Sequence, residues 1–199
     1  VPTIILHEVS HGVVANFFGD DTAKCAGRLT LNPFRHIDPI GSVILPIIMI
    51  LSHGPAFGWA KPVPVAVNRL RHPRNESVIV SLAGPATNVI LAFAAGLIDR
   101  LWIGHATYFD PDFSPIIPSF IFAFGIVNVV VGAFNLIPIP PLDGSAVLER
   151  FIPASMLPGY YRFRQLSLII VFLLVFSGSG VLSSILYHVE TFWERIVFS

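Results

Sequence analysis

No aspartate, glutamate, lysine or arginine occurs between Asp38 and Lys61, Glu76 and Asp99, Asp112 and Asp143, or Arg164 and Glu190. Each run is about 20 residues or longer, and roughly 20 apolar residues are enough for a helix to cross the hydrocarbon core of a bilayer. A buried helix in a soluble domain can imitate one such run. Four in a chain of 199 residues identify an integral membrane protein. Composition agrees, with 54% hydrophobic and 12% charged residues, about half the charged share of an ordinary soluble domain. Twelve basic and 12 acidic side chains cancel to a net charge of zero, which leaves no field to gather nucleic acid. The one cysteine, Cys25, excludes an internal disulfide framework and an all-cysteine zinc site.

Between the uncharged runs the chain reads in short pieces. Residues 1–18 are expected to be helical, ending at Gly19-Asp20-Asp21. They read as the second half of a helix whose first half is missing, with neither the charged n-region nor the cleavage site of a signal peptide. Leu29 and Leu31 alternate with Arg28 and Thr30, a pattern that suits a short strand. Residues 39–60 are interrupted by Gly41, Pro46, Gly54, Pro55 and Gly58, so a full span, a broken helix and a re-entrant hairpin all remain open. Clean spans are expected at Ser77–Ile98, from Pro115 to about Ile137, and at Leu166–Val189, the last with a Ser177-Gly-Ser-Gly180 break. Trp59, Trp102 and Trp193 fall near the ends of these spans, where an aromatic belt is expected.

Basic residues orient the spans. Loop 61–75 holds Lys61, Arg69, Arg71 and Arg74, loop 143–164 holds Arg150, Arg162 and Arg164, and loop 99–112 is mainly acidic. The positive-inside bias puts the first and third loops in the cytoplasm and the second outside. A re-entrant 39–60 keeps residues 19–75 on the cytoplasmic side.

The chemistry begins at His7-Glu8-Val9-Ser10-His11. At 100° per residue, histidines four apart stand within about 40° of one another on a helix, so both imidazoles can reach one metal ion. Glu8, offset by about 100°, stands beside the ion, where it can take a proton from water. Zinc suits imidazoles and a carboxylate with one position left open. Ionisable groups on a membrane helix are expensive and mark a functional site by default. Asp143 is the candidate third ligand, presented by Asn135-Leu-Ile-Pro-Ile-Pro-Pro-Leu-Asp143-Gly144. Prolines 138, 140 and 141 force an extended backbone there. The competing reading makes Asp143 the N-cap of a helix that starts at Gly144.

His7-Glu-Val-Ser-His11-Gly12 followed by Asn135 to Gly144 resembles the two signature motifs of the site-2 proteases, membrane zinc metalloproteases that cut transmembrane substrates. Gly27-Arg-Leu-Thr-Leu-Asn-Pro-Phe-Arg-His-Ile-Asp-Pro-Ile-Gly41, Gly58-Trp-Ala-Lys-Pro-Val-Pro-Val65 and Ala83-Gly-Pro-Ala-Thr-Asn88 resemble the bacterial and archaeal branch without a PDZ insertion. The resemblance implies one zinc ion per chain on His7, His11 and Asp143, with Glu8 as general base. It implies an all-α, polytopic helical bundle with a short β-strand or re-entrant element near the active site. Residues 1–150 would form the catalytic membrane core, and residues 151–199 would add a C-terminal transmembrane helix and tail to the same domain. Gly58–Val65 would be an edge strand beside the cleft, able to pair with an unwound substrate. Asn88 and Asn135 fall on family asparagines that face the active site; each could serve substrate or oxyanion, or be an interhelical hydrogen bond. The implied activity is intramembrane endopeptidase cleavage of a single-pass transmembrane protein in a prokaryotic cell membrane, on the cytoplasmic side, with lipids and no nucleic acid as partners. A catalytically inactive membrane scaffold or a transporter-like protein is the alternative.

Overall fold

The computed structural model describes residues 1–51, 60–103, 116–176 and 180–198. It is mostly helical, and no strand occurs among the described residues. Two compact units, Val1–Gly84 and Pro85–Ser199, are described one at a time.

In the first unit, α1 (Pro2–Phe17) starts on a proline in its first turn, where the missing N–H is no loss. It stops at Gly19, whose φ of +106° is open to glycine. Asp20 N–H then reaches back to the Ala15 carbonyl at 2.9 Å, closing the helix end. The Asp20 carboxylate, fully buried, caps α2 (Thr22–Cys25) by accepting from the Thr22 amide at 3.0 Å and from its hydroxyl. Its other oxygen accepts from Ala66 N–H at 2.6 Å. Burial pushes this carboxyl up, but the bonds from Thr22 and Ala66 outweigh it and hold it below 3.8. A small core of Ala15, Leu70 and Val80, with Val14, Phe18 and Val65 against it, packs the end of α1.

Residues 28–31 are irregular backbone with a bend at Leu29 and Thr30 rather than the expected strand. Thr30 spends its polar groups locally, its hydroxyl accepting from Asn32 N–H at 3.2 Å and its carbonyl from His36 Nε2 at 2.9 Å, and such bonds compete with a ladder. His36 is thereby engaged in a loop hydrogen bond. Beyond it the chain makes a wide turn at Pro39–Ile44 and a short helix α3 (Leu45–Leu51), with Ile44, Ile47, Ile48, Ile50 and Leu51 exposed. Of the predicted edge strand Gly58–Val65, residues 58 and 59 lie outside the described residues, and the remainder forms no strand. Pro62 and Pro64 have no N–H, Lys61 N–H bonds the His36 carbonyl at 2.9 Å, and Val63 N–H bonds Glu8 at 2.9 Å, so its amides have other acceptors. The Lys61–His36 bond also shows that the chain returns, after 37–60, to the point it left.

α4 (Pro73–Ile98) starts with the Glu76 carboxylate accepting from His72 N–H at 2.8 Å, a variant of the capping box. It contains Pro85 in its interior. In the second unit, α4 from Pro85 onward is accompanied by α5 (Ile116–Asn135), α6 (Ser145–Phe151), α7 (Leu157–Phe176) and α8 (Val181–Phe198). Ala92, Val129, Trp193 and Val197 form its core. Gly96 and Gly125 leave room for the Trp193 ring, and its indole N–H donates to the Ala92 carbonyl at 3.2 Å. Trp193 is only 3% exposed, so it is a core residue and not part of an aromatic belt. Trp59 lies outside the described residues.

The helices expected at 1–18, 77–98 and 115–137 are present as α1, α4 and α5. The single span expected at Leu166–Val189 is instead two helices, α7 and α8, separated around Gly180, whose φ is +71°. A residue at positive φ cannot continue a right-handed helix, and glycine takes that conformation without a Cβ penalty. Among the described residues two helical stretches, Pro73–Leu101 and Pro118–Asn135, are long and apolar enough to cross a membrane.

Candidate metal centre

α1 brings His7 and His11 onto one buried face, as their four-residue spacing requires. Their Nε2 atoms are 3.2 Å apart, with the rings edge to face. Two ligands at zinc's usual bond length and a tetrahedral angle stand about 3.3 Å apart, so the imidazole pair already has the span of a zinc bite. The His11 tautomer follows from its other nitrogen. Nδ1 lies 2.6 Å from the Val80 carbonyl, which can only accept, so Nδ1 carries a proton and Nε2 is the nitrogen left to face a metal. Val80 lies in the α4 turn just before Pro85. Pro85 offers no N–H to the carbonyl four residues back and crowds the preceding turn.

Gly84 is the third wall. A Cβ there would stand 2.5 Å from His11 Nε2 and 2.6 Å from His7 Nε2. Space in front of both nitrogens therefore exists because residue 84 has no side chain. Donor chemistry, bite and cradle all fit zinc.

Glu8 is half-buried one residue from His7. Its Oε2 accepts from Val63 N–H at 2.9 Å, while Oε1 makes no hydrogen bond among the described residues. One carboxylate oxygen is fixed and the other is available to handle a proton. Gly12, one position past His11, lets α1 approach Leu29, Val63 and Ala23, where a Cβ would stand 2.6–3.1 Å from their side-chain atoms. That close approach brings the Val63 segment to Glu8.

In the second unit, Asp143 is half-buried at the end of the proline-rich loop after α5. Gly144 N–H bonds the Asn135 carbonyl at 2.7 Å, and a Cβ on Gly144 would collide with the Leu136 carbonyl. The loop is folded tightly onto the end of α5. Gly144 already has helical φ and ψ at the start of α6, and Ala146 N–H bonds the Asp143 carbonyl at 3.0 Å, so Asp143 stands at the entrance to that helix. Asn135 donates from Nδ2 to the Val131 carbonyl at 3.0 Å within its own helix. Asn88, fully buried, donates from Nδ2 to Asn128 Oδ1 at 2.9 Å, and Asn128 donates onward to the Phe124 carbonyl at 2.8 Å. The Asn88–Asn128 bond is a hydrogen bond between α4 and α5. Asn128 was legible as a polar residue in the apolar run of α5, and only its partner was missing.

Residues 111–178 match the profile of peptidase family M50. Curated relatives match over most of the chain. "Putative zinc metalloprotease YwhC" of Bacillus subtilis is 41% identical over 156 residues, which is 78% of this chain and 68% of that protein. "Putative zinc metalloprotease Rip2" of Mycolicibacterium smegmatis is 36% identical, over 74% of this chain and 53% of its own length. Rip2 of Mycobacterium tuberculosis is 32% identical, over 87% of this chain and 62% of its own length. This chain thus spans just over two thirds of the first relative and less of the other two. No solved structure matches it.

Proposed function

The chain belongs to peptidase family M50, the site-2 protease family of zinc metalloproteases, and we propose that it cleaves peptide bonds in the transmembrane segments of other membrane proteins. The observation that carries this reading is the pair of Nε2 atoms 3.2 Å apart on α1, with Glu8 beside them. His7 and His11 hold the metal, and Asp143 is the third ligand. The carboxylate of Asp143 supplies the oxygen donor that zinc accepts beside two imidazoles. Zinc bound there supplies a Lewis acid that polarises a carbonyl and acidifies water.

The chain's own residues do the rest. His11, with its Nδ1 proton directed to Val80, keeps a lone pair facing the metal. Glu8 accepts the proton of the attacking water on the oxygen that Val63 does not hold, and returns it to the leaving amine. The substrate is a single-pass transmembrane protein whose helix unwinds near the cleft. Residues 1–150 form the catalytic core.

The reading extends to topology. A helix crossing the bilayer separates its ends by about 30 Å, whereas residues 36 and 61 are joined by a 2.9 Å backbone bond. That supports a re-entrant 39–60, dipping its exposed isoleucines into lipid and returning to the same face. Residues 19–75 then stay together on the basic, cytoplasmic side, with the multi-pass chain in a prokaryotic cell membrane.

The test compares wild type with Glu8→Gln in detergent, measuring zinc content and cleavage of a transmembrane substrate. Wild type should hold one zinc per chain and cleave. Glu8→Gln should keep the zinc and lose cleavage, and persistent activity in that variant would remove the assignment.

A further inference from the structure

Arg28 is a buried cation without a carboxylate. It is 9% exposed and forms no ion pair among the described residues. Burying a guanidinium is expensive unless its donors are satisfied, and here three backbone carbonyls satisfy them. Nη1 donates to the Arg35 carbonyl, and Nη2 donates to Lys61 at 2.8 Å and Pro62 at 3.3 Å. Its own amide is fixed by a 2.9 Å bond to Ala23 at the end of α2. The rigid fork of the guanidinium therefore ties the carbonyl of Arg35 to those of Lys61 and Pro62, on either side of residues 37–60.

One of those carbonyls matters more than the others. The Pro62 carbonyl and the Val63 N–H are opposite ends of one planar peptide unit. Arg28 holds one end, and Glu8 Oε2 accepts from the other at 2.9 Å. Rotation of that plane would move the donor away from Glu8. Neither neighbouring proline can replace it, because Pro62 and Pro64 have no N–H.

We infer that Arg28 is a positioning residue for Glu8, acting through the Pro62–Val63 peptide plane. The inference rests on the reading of Glu8 as general base. Arg28 touches neither Glu8 nor the histidines; it fixes the direction of the one backbone donor that holds the carboxylate.

The test uses the purified protein and compares wild type, Arg28→Gln, Arg28→Lys, Val63→Pro and the Arg28→Gln/Val63→Pro double variant. Zinc content and steady-state cleavage of a transmembrane substrate are measured for each. A displacement near 1 Å in a catalytic group lowers rate by about 100-fold. Arg28→Gln should therefore lower kcat by roughly 10- to 100-fold with KM and zinc stoichiometry held. Arg28→Lys, which keeps the charge and some of the donors, should fall between wild type and Gln. Val63→Pro removes the N–H that Glu8 accepts, together with the buried Val63 side chain that faces Gly12, and should lose at least as much. The double variant should lose no more than the worse single variant, since both act on one bond.

A readout independent of turnover is trypsin cleavage after Arg35, which should accelerate in Arg28→Gln when that tie loosens. Losses that multiply in the double variant, a change in KM instead of kcat, a Lys variant no better than Gln, or unchanged trypsin cleavage would each overturn the positioning role. Activity in Glu8→Gln would instead remove the general-base reading. Wild-type kcat in Arg28→Gln beside an inactive Glu8→Gln would remove the positioning role alone.

Discussion

Gly84→Ala adds one methyl group to a helix, and the structure specifies what it meets. The added carbon would stand 2.5 Å from His11 Nε2 and 2.6 Å from His7 Nε2, while ordinary contact begins at 3.4 Å. The nitrogens, or the backbone of α4, must therefore give way by roughly 0.8–0.9 Å, beyond the ~0.5 Å within which a functional first shell must be held. Imidazole cannot bend to escape, and His11 is further fixed by its 2.6 Å bond to Val80 on the same helix as Gly84. A shift of that size should weaken zinc by about 10- to 100-fold, comparable to loss of a ligand-orienting partner, or about 1.4–2.7 kcal/mol. The methyl also raises intrinsic helix propensity by about 1 kcal/mol, so weakened zinc binding could not be assigned to a weaker helix. Zinc affinity measured by competition with a chromogenic chelator gives the answer. Gly159→Ala is the matched control, because nothing lies within 4 Å of a Cβ at that helical position. Wild-type zinc affinity in a folded Gly84→Ala protein would refute the cradle and, with it, the assignment of His7 and His11 as the metal pair.

Three further outcomes follow from the same geometry. Asp143→Ala should lower zinc stoichiometry measured by mass spectrometry, and an unchanged ratio would exclude it as third ligand. Asp20→Asn should cost about 1–3 kcal/mol at neutral pH, since a buried acceptor of three hydrogen bonds loses its charge. The Asp20 carboxyl is depressed in the folded state, so its contribution is complete above 3.8 and disappears as pH falls through the lower folded value; thermal unfolding against pH should show wild type and Asn converging in acid. Trp193→Ala should lower stability by about 3 kcal/mol in detergent unfolding, through the loss of packing on Gly96, Gly125 and Ala92, while leaving zinc content unchanged.

The legible part of the site is the part written in side chains. His7, Glu8 and His11 stood out because ionisable groups are scarce in this chain and the four-residue period puts both imidazoles on one helix face. Asp143 stood out for a similar reason, after a long uncharged run. The helices α1, α4 and α5 were legible from apolar length. The short strand at 28–31 was not correct, because alternation alone does not reveal that Thr30 will spend its hydroxyl on Asn32 and its carbonyl on His36. Trp193 was misplaced for a related reason. An aromatic near a span end fits a membrane interface, and only the facing glycines at 96 and 125 turn it inward.

What the sequence concealed is written in backbone. The Val80 carbonyl sets the His11 tautomer, the Val63 amide holds Glu8, and the absent Cβ of Gly84 opens the space before the histidines. None of these has a side-chain signature, yet each depends on a neighbouring residue that does. Pro85 follows the glycine, and its missing N–H leaves the carbonyl of Ser81, next to Val80, without its helical donor; Pro62 and Pro64 leave Val63 as the donor between them. Gly12 lets that segment approach α1. The prolines and glycines near this centre therefore select which backbone groups reach the chemistry, and a substitution at any of them should disturb zinc or Glu8 while all the titratable residues stay in place.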